Sequence, residues 1–207
     1  MLESIHWLGH ASFRIDDEIT IYIDPWKLGG SPGPADLILV THGHGDHLSL
    51  KDIAAISAPN TVIVCAAPYA GQLSGDVRPI AVGESLTIGP ATVEAVPSYN
   101  TNKPNHPASA GNVGYVVEIG GRRIYHGGDT DLIPEMRDIR CDVALLPAGG
   151  TYTMDAEEAA QAVARIQPKV VIPMHWGDIV GTRDDIARFE SLVPEGIEVA
   201  VLEQETE

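Results

Sequence analysis

Apolar residues along this chain come in short clusters, and the spacing inside each cluster predicts the element it builds. Residues 4–8, 11–16 and 19–24 are three compact apolar runs joined by tight polar turns, the pattern of an antiparallel meander. Asp24-Pro25-Trp26 ends it, and a Gly/Pro-rich exposed loop follows at 29–34. Residues 36–40 are a continuous apolar run of the kind found in buried strands. A helix is predicted over 49–56, stopped by Pro59, then a strand over 61–66 and a short helix over 68–73. From Val77 the pattern returns to short β segments at 78–82, 85–88 and 92–97.

A polar loop over 98–112 precedes strands at 113–119 and 122–126, with Gly120-Gly121 as the hairpin turn. The last third alternates: strand 142–147, helix 155–166, strand 170–174, helix 183–192, strand 197–202. Asp155 and Glu158 are spaced as a capping box, and Pro168 stops that helix. The two halves echo each other, a β meander followed by β-α units, with no linker or tandem repeat. One α/β domain over 1–207, two mixed sheets packed face to face with helices outside, is the expected architecture.

Composition narrows what such a domain does. The formal net charge is −16 and only 13 residues are Lys or Arg, which argues against a nucleic-acid partner. The first residues show no basic and apolar leader pattern, and no run of about 18 apolar residues exists to span a membrane. Cys65 and Cys141 sit in apolar runs and read as reduced core residues. The expectation is a cytoplasmic enzyme acting on a small molecule; its oligomeric state is left open.

Candidate chemistry concentrates in Thr41-His42-Gly43-His44-Gly45-Asp46-His47, directly after the 36–40 strand and before a helix opening near Leu48-Ser49. Sites in α/β sheets gather at strand C-terminal ends. Gly43 and Gly45 are expected to give the backbone conformations that let the neighbouring side chains converge. Imidazole and carboxylate without a nearby thiolate suit Zn²⁺, with Mn²⁺ or Fe²⁺ as other fits. Two more strand ends add donors. Asp129, in Gly127-Gly128-Asp129-Thr130-Asp131, is the candidate bridging carboxylate; the alternative is a helix N-cap, which Asp131 would serve equally well. His175 closes the strand 170–174 as His42 closes its own.

At these residues the chain resembles the metallo-β-lactamase superfamily. His-x-His-x-Asp-His at 42–47, Gly-Asp-Thr at 128–130 and a late strand ending in His175 occur in the superfamily's order. The opening Trp7-Leu8-Gly9-His10-Ala11-Ser12-Phe13 and Ile23-Asp24-Pro25 are similar to the compact branch containing ascorbate-6-phosphate lactonase. The resemblance implies a four-layer αβ/βα sandwich with metals between the sheet edges. It also implies His42 and His44 on a first metal, Asp46, His47 and His175 on a second, and Asp129 between them. Members carry a histidine directly after the strand that ends here near Pro97, and this chain does not. His106 is the expected substitute, with Tyr99 or Asn100 lining the pocket or hydrogen-bonding a metal-bound water. His10 is expected near the metals, and Asp24 is expected to orient a ligating histidine. His6 and His126 carry no such context.

These expectations converge on hydrolysis by metal-activated water, with two Zn²⁺ per chain, on an ester, lactone, thioester or phosphoester. Asp46, Tyr99 and His10 are the candidate proton donors. The 149–153 loop either presents backbone N–H groups to an anionic substrate or is a plain turn. The competing class is a non-catalytic or redox metal protein on the same scaffold. Oxygen-reducing relatives replace His44 with an acidic residue and need a flavin domain, which this chain has no room for.

Overall fold

Residues 2–205 are described by a computed structural model. Strands β1 (Ile5–Gly9), β2 (Ser12–Asp16) and β3 (Thr20–Ile23) form the expected antiparallel meander. β4 (Ala35–Val40), β5 (Ser57–Ala66) and β6 (Asp76–Ile80) then add in parallel. The second sheet repeats the plan. β7 (Ser85–Ile88), β8 (Ala91–Pro97), β9 (Val113–Ile119) and β10 (Arg122–His126) are antiparallel. β11 (Val143–Pro147), β12 (Val170–Met174) and β13 (Glu198–Val199) continue in parallel. In both sheets each strand pairs only with its neighbours in the chain.

The continuous apolar strands feed two layers at once, because successive side chains point to opposite faces. Leu37 and Leu39 of β4 face the core between the sheets, while Ile38 and Val40 face the helix layer. In β11, Val143 and Leu145 likewise face inward and Ala144 and Leu146 outward. Helix α1 (Leu50–Ile56) covers the first sheet; α2 (Ala156–Ile166) and α3 (Arg183–Leu192) cover the second. The result is the four-layer sandwich. On α2, Ala159, Ala162, Val163 and Ile166 make the buried stripe. Its capping box is formed, with Glu158 N donating to Asp155 Oδ1 at 2.8 Å and Asp155 N to Glu158 Oε2 at 3.2 Å.

Local departures from the sequence reading have physical causes. Pro59 does not stop α1; the chain enters β5 directly at Ser57, and Pro59 lies where the β4–β5 register slips between Ala35↔Ser57 and Leu37↔Val62. An irregular stretch is where a residue without an N–H fits a strand. The closing strand is only Glu198–Val199, although Ala200 N still donates to Val171 O at 2.9 Å. The short helix expected over 68–73 is a 3-10 turn, Ala67–Gln72, and a second 3-10 turn, Pro134–Asp138, follows Asp131. Both cysteines are free, and burial pushes each thiol up to about 12, so both are protonated at neutral pH. No helix among the described residues is long and apolar enough to cross a membrane.

Candidate metal centre

Every candidate donor leaves the C-terminal end of a strand, and within each sheet those strands run the same way. β1, β3 and β4 deliver His10, Asp24 and the 42–47 turn; β8, β10 and β12 deliver the 98–112 loop, Asp129 and His175. The two sheets are stitched at this end. Val113 N donates to Thr41 O (3.1 Å), His175 N to His10 O (2.9 Å) and Tyr115 Oη to Val40 O (2.8 Å). His10, Asp24 and His175 have φ of +52°, +46° and +58°, each costing about 1 kcal/mol or more. Strain of this kind persists only where surrounding contacts impose it.

Two donor groups share one carboxylate. His42, His44 and His106 form the first, and Asp46, His47, His175 and His10 the second. Asp129 lies between them, its Oδ2 3.3 Å from His106 Nε2, 3.1 Å from His175 Nε2 and 3.9 Å from His42 Nε2, and its Oδ1 3.2 Å from His47 Nε2. In the first group, His44 Nδ1 is 3.1 Å from both His42 Nε2 and His106 Nε2. In the second, His10 Nε2 is 3.2 Å from Asp46 Oδ2, and its ring lies against that of His175, 3.9 Å between centroids. His44 is the exposed member of a set otherwise buried or nearly so.

The hydrogen-bond network around this set fixes which ring nitrogen is free. Buried Asp24 accepts from Thr41 N (2.8 Å), Thr41 Oγ1 (2.6 Å) and His47 Nδ1 (2.7 Å). With its proton spent on Asp24, Thr41 Oγ1 accepts from His42 Nδ1 at 3.0 Å. One carboxylate thus orients a histidine of each group. For His106 the orienter is Asn100. Its Oδ1 accepts from the His106 backbone N–H and from Nδ1, both at 3.0 Å. Because a backbone N–H only donates, that atom is the oxygen. Asn100 Nδ2 then donates to Asp131 Oδ1 (3.2 Å) and Tyr152 O (3.0 Å). Asp131 also accepts from Thr101 N (2.9 Å) and Lys103 Nζ (2.6 Å), so it anchors the loop that carries His106.

These residues fit a divalent metal pair. His47 Nε2, Asp129 Oδ1 and the ring nitrogens of His175 are buried without a hydrogen-bond partner, an arrangement that a cation held among them would satisfy. Charge points the same way. Burial opposes ionisation of His47, yet Asp129 and Asp24 flank it and hold its pKa well above the ordinary value; anions in excess are seeking positive charge. Burial lowers His42 strongly, the field of His47 adding to it, and also lowers His106 and His10, so these rings are neutral donors. Burial works to raise Asp46, but the His10 hydrogen bond and the charge of His47 outweigh it and keep the carboxyl anionic.

Several sequence expectations are corrected here. The Tyr99 hydroxyl is not in the centre. Ser98 and Asn100 are buried, and Tyr99, alternating with them, points outward with its hydroxyl donating to Glu135 at 3.1 Å. Asn100 orients His106 rather than bonding a water. Gly43 and Gly45 do not adopt left-handed conformations; Gly43 is required because the Tyr69 ring fills the place of a Cβ, and Gly45 faces open space. Three N–H groups of the 149–153 loop are bonded to nearby carbonyls. Gly150 N donates to Met154 O (2.9 Å), and Tyr152 N (2.7 Å) and Thr153 N (3.3 Å) to Gly150 O. His126 bonds Ala11 O through Nε2 (2.9 Å) and accepts from Gly128 N at Nδ1 (3.1 Å), a buttress between the sheets. His6 lies near Asp16 and Glu205, away from the centre. Thr41 and Asp131 were not foreseen in their orienting roles, since no local pattern marks a partner 17 or 31 residues away.

Gly149 supports His175 from the neighbouring strand end, and a methyl group there would overlap the His175 carbonyl oxygen. Gly149→Ala is expected to cost about 1–3 kcal/mol of stability and to weaken metal retention in the second group. An unchanged urea midpoint would remove this support role.

Two mixed sheets sandwiched by helices, with a two-part nitrogen and oxygen donor set at one edge, define a metallo-β-lactamase-fold protein. Residues 4–175 match the family model described as "Beta-lactamase superfamily domain". A UPF0173 metal-dependent hydrolase of Thermococcus kodakarensis is 36% identical over 96% of each chain, and one of Methanopyrus kandleri 37% over 96% of each. Among solved structures, a metal-dependent hydrolase from Parabacteroides distasonis superposes with TM-score 0.84 at 33% identity, covering 97% of this chain and 93% of that one. A metallo hydrolase from Ignicoccus hospitalis gives 0.76 at 25%, covering 97% and 94%. The chain belongs to the UPF0173 metal-dependent hydrolase family of the beta-lactamase superfamily.

Proposed function

We propose that this chain is a dinuclear hydrolase of a small-molecule ester, lactone, thioester or phosphoester. The observation that carries the reading is Asp129, one buried carboxylate facing donor nitrogens of both groups. His42, His44 and His106 would hold one cation, and Asp46, His47 and His175 the other, with Asp129 shared. The thiolate-free donor set suits two Zn²⁺, with Mn²⁺ or Fe²⁺ as alternatives. When bound, such cations supply Lewis acidity and hydroxide at neutral pH.

The chain's own residues do the rest. Asp24, Thr41 and Asn100 take the Nδ1–H of His47, His42 and His106 and so aim each Nε2 inward. His10, neutral through burial, holds Asp46 Oδ2 and keeps that carboxylate in place at the rim of a cavity of about 230 Å³. Asp46, a carboxylate at the cavity, is suited to accept the proton that the attacking water gives up and to hand it to the leaving group; His10 positions it. That volume suits a small molecule, and supports no nucleic-acid role.

Asp46→Ala is expected to lower kcat by at least about 10³-fold, roughly 4 kcal/mol of barrier. Turnover of an ester or lactone panel by wild type and variant, at measured metal content, tests this. Equal rates at equal metal loading would take Asp46 out of the reaction, and no turnover by metal-replete wild type on any panel member would overturn the hydrolase reading.

A further inference from the structure

We propose that the mouth of the metal centre is a cation-free subsite walled by Tyr152 and Ile179, which selects the substrate by the part that lies away from the reacting bond. That non-reacting part is small, apolar and uncharged, with no anionic handle of its own. The inference rests on the hydrolase reading above and narrows it.

Four observations carry it. First, Tyr152 and Ile179 line the cavity over the donor set, and at 38% and 47% exposure they are two of the four large hydrophobics left exposed among the described residues. Apolar area held open beside a reactive centre is area that a ligand removes from water. Second, no lysine or arginine among the described residues lines the cavity. The lysines on loops around the centre are spent elsewhere. Lys103 Nζ is on buried Asp131, and Lys27 Nζ is on both carboxylate oxygens of Asp178, at 2.9 and 2.7 Å. An anionic group away from the reacting bond would meet a chain of net charge −16 with no partner of its own.

Third, the loop that carries Tyr152 commits three of its N–H groups, those of Gly150, Tyr152 and Thr153, to the carbonyls of Met154 and Gly150 rather than to an anion. The helix behind it is capped by the carboxylate of Asp155. Fourth, each wall is tied to the rest of the protein by contacts that need no ligand. Asn100 holds the Tyr152 carbonyl, and the 177–181 loop is closed by Gly177 N donating to Val180 O at 3.0 Å. The Lys27–Asp178 pair ties that loop, with Ile179 next to Asp178, to the other sheet's side of the groove. Walls already in place spend little ordering entropy on binding.

The test uses metal-loaded protein and straight-chain hydroxamates from acetyl to hexanoyl, with succinic monohydroxamate as the charged-tail probe. Dissociation constants are measured by calorimetry. Affinity is expected to rise at least about tenfold from acetyl to hexanoyl, as half-buried methylenes allow, and the charged tail to bind at least about tenfold more weakly than hexanoyl. In Tyr152→Ser/Ile179→Ser the slope of the series is expected to flatten. A general structural defect would instead weaken every member alike and leave the slope intact. A flat wild-type series, an unchanged slope in the variant, or a charged tail that binds as tightly as hexanoyl would overturn the subsite while leaving the hydrolase reading in place. Failure of every hydroxamate, acetyl included, would remove both.

Discussion

Asp129→Ala is expected to strip metal from both donor groups and to lower hydrolysis by at least about 10³-fold. Among the described residues no other carboxylate faces both sets. Its two oxygens lie 3.1–3.3 Å from the Nε2 atoms of His47, His106 and His175. Removing it takes away one donor from each group and the negative charge that draws cations in. In the metal-free protein it also leaves His47, whose elevated pKa depends on Asp129 and Asp24 against the cost of burial, with one anion instead of two. Asp129→Asn keeps the shape and removes the charge, so it separates packing from electrostatics. Elemental analysis of both variants beside wild type is the measurement. Wild-type metal content in Asp129→Ala would end the assignment of a shared carboxylate.

His106→Ala is expected to remove metal from the first group only, so that content per chain falls by about half while the second group stays filled. The first group is three imidazoles and Asp129, and losing one of three nitrogen donors costs it more than the second group, whose contacts with His106 run only through Asp129. Asn100→Ala should act in the same direction but more gently, by about 10–100-fold in affinity, because it leaves the ring in place and releases its orientation. Combining the two should add little to His106→Ala alone, since Asn100 acts through the ring it holds. Cobalt substitution gives a readout that general destabilisation does not imitate: the variant should lose the visible bands of one site and keep those of the other. Unaltered stoichiometry and spectrum would move His106 out of the centre.

The strand pattern was legible because each buried strand contacts two apolar layers and therefore carries an uninterrupted run, as in β4, β11 and β12. Its ends were less so. The slip at Pro59 and the two-residue β13 depend on pairing with β4 and β12, which no local window contains. At the centre, the 42–47 turn, Asp129 and His175 could be proposed because each follows a strand end, where side chains of parallel strands converge. His106 could be named as a substitute but not explained. What holds it is an amide six residues earlier, and behind that a carboxylate 31 residues on from the amide, Asp131. Tyr99 misled for a simple reason: alternation continues past the end of β8, and the phase that buries Ser98 and Asn100 sends Tyr99 to Glu135. The 149–153 loop could be read as an anion cradle or as a plain turn, and three of its N–H groups are folded onto nearby carbonyls.

Strand order also governs when the centre comes into being. Because each strand pairs with its neighbours in the chain, both sheets can be laid down in sequence from the N-terminus, with short loops to close at each step. The donors do not share that locality: His10 and His175 are 165 residues apart and meet only when the two finished sheets face each other. A nascent chain therefore holds a complete first sheet by Ile80, with a finished 42–47 turn, before β12 and His175 supply the second wall to close over a cation. Metal acquisition belongs to the end of folding, where each equivalent of cation bound adds stability by mass action to a protein already in shape.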